Sequence, residues 1–240
     1  MKTYLMGLVF LLAIAPVSGF SQLKLPKILT KSSAPGITED EAGRGIKEAL
    51  VQGVTNAVLN LNKTDGFFGS EFYRVLLPPD AVKIENTLRK AGMGAQVDKA
   101  ILAINRGAED AVGFAKPIFV DAIKEMTLKD AVNIVRGNKD AATQYFRQKT
   151  TEKLVAAFTP SVESSLEKTN ATKYYGDIVT KYNNFPTTFK KVNPDLTSFV
   201  VAKAVDALFD QVAKEEANIR ANPAARATDI LKKVFGSVIK

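Results

Sequence analysis

The sequence predicts an all-α protein, a multi-helix bundle of about ten helices formed by one domain over residues 38–240. Helix start signals recur along this range, as capping residues followed by proline or by an acidic residue three positions later. No convincing pair of strands with alternating apolar residues is found. The segment 196–219 is apolar around most of its circumference, which only a buried helix tolerates, so we expect it at the centre of the bundle.

The amino-terminal segment is predicted to be a signal peptide over residues 1–21. Lys2 precedes an apolar run over 5–15 that is too short to span a bilayer, and small residues at Gly19 and Ser21 suit cleavage after Ser21. An uncleaved membrane anchor is the alternative, but a lipoprotein anchor is excluded because the chain has no cysteine. We therefore expect a periplasmic or secreted protein, with a flexible leader at 22–37 rich in Pro, Ser and Lys.

The first helix is predicted from Thr38 to about Asn60. Thr38 and Glu41 have the spacing of a capping box, in which each side chain binds the backbone N–H of the other residue. Gly45 and Gly53 lie on one face of this helix, eight residues apart. Because glycine disfavours helix, their shared face predicts the close approach of another helix.

The segment 61–80 is predicted to be the longest non-helical stretch, with a turn followed by a short extended segment near 70–77. Its Asn and Asp residues suggest a calcium loop, but the spacing is wrong. With Gly66 at the glycine position of such a loop, the first and last ligands would be Leu61 and Phe72. We predict no metal site and no cofactor.

Later helices are predicted from the same start signals. The start signals are Pro117, Thr127 with Asp130, Asn138 after Gly137, Thr159–Pro160, Asn193–Pro194 and Asn222–Pro223. The buried segment 196–219 keeps one narrow charged row, interpreted as a solvated face because its spacings allow pairing along the helix. This row consists of Lys203, Asp206, Asp210 and Lys214.

The predicted helix over 138–158 changes its apolar side halfway along. At 100° per residue, Ala142, Tyr145 and Phe146 cluster on one side, and a later apolar group lies almost opposite. The later group is Leu154, Val155 and Phe158. We expect the two halves of this helix to pack on different neighbours.

The polar row left by this change contains Asp140, Gln144 and Arg147, at i, i+4 and i+7. These side chains can form a hydrogen-bonded ladder in which Gln144 bridges two charges. One interpretation is that the row is only solvated. The other is that it lines a groove for an anionic or polar ligand together with Lys149.

A second polar set lies upstream and offers further candidate ligand-binding residues. It consists of Asn105, Arg106, Glu109 and Lys116, several of which share one helical face.

Four blocks of the sequence resemble the signature blocks of an uncharacterised bacterial family, a domain of unknown function (DUF 4197). They are AKPIFVDAIKEMT, GNKDAATQYFRQKT, KKVNPDLTSFVVAKAVDALF and NPAARATDILKKVFG. The resemblance extends from about Thr38 to Gly236 and implies a secreted or periplasmic helical protein, with no activity to transfer. It implies that the family's recurring polar positions fall on Asp121, Lys124, Asp140, Gln144, Arg147 and Lys149.

Enzyme activity is disfavoured because the chain has neither histidine nor cysteine. These absences remove the usual general base near neutral pH, the usual nucleophile–base pairs and nearly all zinc sites. No glycine loop of the phosphate-binding kind occurs. The alternative that stays open is a glycan hydrolase whose two carboxylates come from different helices.

The charge balance predicts an anionic partner. The chain carries 33 Lys and Arg against 25 Asp and Glu, a net charge of +8, or +7 once Lys2 is removed. Outside the cytoplasm this favours anionic lipid, lipopolysaccharide or acidic glycan over nucleic acid, unless the charge serves only solubility. No apolar run after the signal peptide is long enough to span a membrane. The sequence thus favours a non-catalytic binding or scaffold module for an anionic or amphipathic partner.

Overall fold

The computed structural model describes residues 39–168, 170–184, 186 and 190–222, and these form helices and connecting segments with no strand among them. The all-α class is confirmed. A short 3-10 turn, Pro79–Ala81, precedes the second of eight α-helices. These are α1 (Glu39–Leu61), α2 (Val82–Lys90), α3 (Gly94–Val112), α4 (Ala115–Glu125), α5 (Leu128–Arg136), α6 (Ala141–Glu167), α7 (Ala171–Asn183) and α8 (Leu196–Ala221).

The expected number of about ten helices is not matched. The signal at Thr159–Pro160 does not begin a new helix, because α6 continues through it with Pro160 inside. Phe158 and Val162 are both fully buried on either side of this proline, so tertiary packing outweighs its lost hydrogen bond. The expected signal peptide, the leader, Thr38 and the helix after Asn222 lie outside the described residues.

Helix α8 forms the centre of the bundle, as its apolar circumference predicted. It packs against α1, α3 and α6, and Val205 and Phe209 are only 4% and 0% exposed. The Phe209 ring lies 6.1 Å from Phe119 of α4, which lies 5.1 Å from Phe146 of α6 in an edge-to-face arrangement. These aromatic contacts join three helices in one apolar core.

Helix α6 packs on different neighbours along its length, which confirms the change of side. Its first half meets α4 through Phe146 and through Tyr145, whose hydroxyl donates to the carbonyl of Ala122. Its last turns meet α3, where the hydroxyl of Ser165 donates to the carbonyl of Ala103. Leu154 and Phe158 are buried as expected, whereas Val155 is 40% exposed.

The close approach predicted from the glycines of α1 occurs at α8. A methyl group added at Gly53 would lie 3.3 Å from Cδ1 of Ile219. The backbone of α1 therefore lies close to a side chain of α8 at this point. Gly45 is buried too. In the described part of the chain, no helix combines the length and the apolarity needed to cross a bilayer.

A buried ion pair on α8 joins the end of α5 to the beginning of α6. The carboxylate of Glu216 accepts hydrogen bonds from the backbone N–H groups of Ala142 at 3.0 Å and Thr143 at 2.9 Å. Arg220 pairs with Glu216 at 2.7 Å and donates to the carbonyl of Ile134 at 2.8 Å. An anion therefore lies at the start of one helix and a cation at the end of the other, as their dipoles favour.

Candidate functional site

The loop between α1 and the 3-10 turn is irregular backbone, and residues 74–76 form neither helix nor strand. The side-chain amide of Asn105 satisfies both main-chain hydrogen-bonding groups of Val75, as a neighbouring strand would do in a sheet. Its oxygen accepts from the N–H of Val75 and its nitrogen donates to the carbonyl of Val75, both at 2.8 Å. Asn105 is fully buried and also donates to the carbonyl of Ile101. This side chain therefore fixes the course of the loop.

Glu109, one turn further along α3, fixes the beginning of the same loop. Its carboxylate accepts from the N–H groups of Phe67 at 3.0 Å and Phe68 at 3.1 Å, and it is 3% exposed. Arg106 pairs with Glu109 at 2.6 Å and reaches Asp65 at 2.8 Å. The bond to Glu109, and next the bond to Asp65, raises the pKa of Arg106. The buried carboxylate thus has its compensating charge.

A third contact ties the loop to α8. The hydroxyl of Tyr73 donates to Asp210 at 2.5 Å and accepts from the ammonium of Lys214 at 2.6 Å. Burial and the bond to Asp210 raise the pKa of Tyr73, while the bond from Tyr73 lowers the pKa of Asp210. Tyr73 therefore stays protonated and Asp210 ionised. The charged row of α8, interpreted as a solvated face, thus also holds the loop.

The loop and α8 enclose an open groove of about 630 Å³, which also borders the beginning of α2. Several apolar side chains along it are exposed: Phe72 is 85% exposed, Leu76 56% and Val82 46%. The charged residues that line it are Arg74, Glu85, Lys203, Asp206 and Asp210. The lining therefore carries both signs of charge, and this groove is not a basic one.

In the polar row of α6, Arg147 contacts a residue that lines the groove. Its guanidinium lies 3.6 Å from Asp206 and 4.5 Å from the centre of the Phe209 ring. Gln144 donates to Asp140 at 3.1 Å. The predicted ladder is therefore divided, with Gln144 bound to Asp140 and Arg147 turned towards α8.

The remaining predicted site residues lie away from the groove. Lys149 acts on Asp130 of α5, whose pKa is lowered mainly by hydrogen bonds from Thr127 and to a smaller degree by Lys149. On α4, Asp121 pairs with Lys124 at 3.0 Å, and both side chains are exposed. Lys116 is exposed on the same helix. The structure therefore does not gather the predicted residues in one pocket.

Sequence reasoning missed Phe72 and Leu76, which are the most exposed apolar side chains at the groove. Apolar residues in a predicted loop were a usable signal, since loops are usually polar. Within the described ranges, no group of three or more acidic side chains is arranged to hold a metal ion.

Comparison with known proteins found one family. A family model described as "Protein of unknown function (DUF4197)" matches residues 36–236. Neither the search of curated proteins nor that of solved structures returned a match.

Proposed function

Because the chain belongs to the DUF4197 family, whose description names no activity, we propose a function from the groove itself. The protein is a non-catalytic binding module that docks an amphipathic segment of a partner polypeptide between the 72–82 segment and α8. We also propose that it acts in the periplasm or outside the cell, as the apolar run after Lys2 supports.

The observation that carries the proposal is an exposed phenyl ring on a fixed loop. Phe72 is 85% exposed, yet Tyr73 beside it is bonded to α8, and the Lys214 ammonium lies 5.4 Å from the centre of the Phe72 ring. Two buried polar residues, Asn105 and Glu109, hold the backbone on either side. A contiguous exposed apolar patch on a rigid frame is typical of an interaction surface.

The charges around the patch favour a polypeptide as the partner. A membrane surface or an acidic glycan presents one sign of charge, and a matching site would be uniformly basic. Here both cations and anions line the groove together with apolar groups, and Lys203 and Asp206 lie three residues apart on α8. A peptide segment with apolar and mixed charged side chains complements such a lining.

The alternative of a carboxylate hydrolase has less support from the groove. A glycosidase acid needs a raised pKa, whereas hydrogen bonding from Tyr73 lowers the pKa of Asp210. Asp206 is paired with Arg147. The third carboxylate of the groove, Glu85, pairs with Arg89 at 2.9 Å, so each of the three carboxylates that line the groove has a partner within the chain.

The test is site-specific crosslinking in the native cells. A photoreactive benzoylphenylalanine replaces Phe72 in the full chain, and a matched chain carries it at Leu59 of α1, which is 62% exposed. We expect a discrete crosslinked protein from position 72 only. A second substitution, Leu76→Ser, should reduce its yield about tenfold, because an apolar anchor at an interface contributes on the order of 1–2 kcal/mol.

Thermal denaturation of Leu76→Ser serves as the folding control, since truncating an exposed side chain changes stability by less than about 0.5 kcal/mol. Equal crosslinking from positions 59 and 72, or a yield that Leu76→Ser leaves unchanged, would refute the proposal.

A further inference from the structure

A second cavity lies between α2, α3, α7 and the beginning of α8, and Leu77 lines both it and the groove. Its volume is about 220 Å³. Apolar side chains form most of its wall, among them Ile84, Leu88, Val97, Ala100 and Leu196. Protein interiors hold few voids larger than a water molecule. A cavity of this size and composition therefore suits an apolar ligand.

The volume matches a small hydrocarbon group. An engineered apolar cavity of about 150 Å³ stays dry and binds benzene. The cavity here is larger, at about 220 Å³, and it accepts one hydrocarbon tail or ring system. A lipid with two long acyl chains would not fit inside it.

The polar side of the wall identifies the other end of the ligand. Among the described residues that line the cavity, Lys99 carries the only charge. Lys99 is exposed and has no ion-pair partner in the described part of the chain. Its ammonium is therefore available to an anion that enters with an apolar tail.

The two tyrosines of α7 complete the site in different ways. Tyr175 is 7% exposed and its hydroxyl donates to the carbonyl of Asn193 at 3.1 Å. Burial raises the pKa of Tyr175 to about 12, so this phenol adds no negative charge to the wall. Tyr174 is 55% exposed and gives the opening an amphipathic edge.

We propose that this cavity binds one anionic amphiphile with a single hydrocarbon tail, of the fatty-acid class. The tail lies between α2 and α3 against Leu88 and Val97, and the carboxylate pairs with Lys99. This ligand is separate from the polypeptide partner of the groove, and either site can exist without the other.

The experiment is calorimetric titration of the full chain with sodium decanoate, and with 1-decanol as the uncharged ligand of equal length. We expect one decanoate per chain. Ala100→Phe places a ring in the cavity and should weaken both ligands at least tenfold. Lys99→Gln should weaken decanoate about three- to fivefold, the factor for an exposed ion pair, and leave decanol unchanged.

Matched variants keep the outcome decisive. Lys116→Gln makes the same charge change on α4, where the side chain is exposed, and should leave both ligands unaffected. Circular dichroism checks the fold of Ala100→Phe, and Ile84→Trp fills the cavity from the opposite wall if Ala100→Phe does not fold. Vesicles of phosphatidylglycerol test whether a two-chain lipid binds instead.

Several results would overturn the proposal. Decanoate that does not bind, or that binds a folded cavity-filling variant as tightly as the wild type, removes the cavity as its site. Equal weakening of decanoate and decanol by Lys99→Gln removes the assigned ion pair. Binding of vesicles that Ala100→Phe abolishes, without binding of decanoate, replaces the single-tail ligand with a membrane lipid.

Discussion

Asn105 holds both main-chain groups of Val75 with one buried amide. Replacing it with leucine keeps an apolar core but leaves the N–H and the carbonyl of Val75 without their partner. We expect Asn105→Leu to lower the free energy of unfolding by about 2–4 kcal/mol, since each buried unsatisfied group costs roughly 1–3 kcal/mol. Urea denaturation measures this loss, and the amide of Val75 should exchange its hydrogen faster.

Asn133→Leu is the matched control, because Asn133 is exposed on α5. Its unfolding free energy should change by less than about 0.5 kcal/mol. If both variants lose the same stability, the amide of Asn105 is not what fixes the loop.

The role of Asn105 also shows what residue patterns leave out. Its position on a polar helical face marked it as a candidate ligand residue, but its partner is a main-chain group 30 residues earlier. Helical periodicity identifies which residues share a face and carries no information about a distant backbone. The same limit applies to Glu109 and Glu216, whose partners are backbone N–H groups far along the chain.

At the scale of the helix, α3 and α6 approach closely at Gly107. A methyl group there would lie 3.0 Å from Cβ of Ser165 and 3.5 Å from Cα of Val162. We expect Gly107→Ala to destabilise the protein by about 1–3 kcal/mol through overpacking, in spite of the better helix propensity of alanine. Thermal and urea denaturation both measure this change.

Gly176 of α7 provides the opposite case, since a methyl group there meets nothing within 4 Å. Gly176→Ala should stabilise the protein by about 0.5–1 kcal/mol, the ordinary propensity gain inside a helix. The same sign of change in both variants would contradict the close packing of α3 on α6.

Helix patterns predicted the packing better than they predicted the boundaries. The change of apolar side along α6 followed from Phe146 and Phe158, because the angle per residue is fixed by helix geometry. The break at Pro160 was wrong, since a proline penalises the helix locally while buried neighbours stabilise it from outside. Capping signals and tertiary contacts both determine where a helix ends, and only the capping signals can be identified from the sequence.

For the whole molecule, the net charge of +8 predicts electrostatic attraction to anionic surfaces. Cosedimentation with phosphatidylglycerol vesicles should fall steeply between about 20 mM and 300 mM salt, as the screening length shortens below about 10 Å. Phe72→Ser should bind vesicles like the wild type, because the groove lining has both signs of charge. Binding that does not change with salt would mean that the positive charge serves solubility only.

The class of fold was predictable for the whole molecule because capping residues and a buried helix are local signals. The groove was not, since it arises where a loop, the beginning of α2 and α8 meet. Phe72 and Asp210 are far apart in sequence, and nothing in either neighbourhood indicates that they share a surface.

The anchoring of the loop through Val75 has a consequence for evolution. Asn105 binds the backbone of Val75 and not a side chain, so these hydrogen bonds do not depend on the side chains of the loop. Natural variation at 72, 74 and 76 should therefore leave the anchoring of the loop unchanged. Single substitutions at these positions can then change which partner binds, while the helical bundle and the anchored loop stay the same. Related chains are expected to share the hydrogen bonds between residues 105 and 75 and to differ in the exposed side chains of the loop.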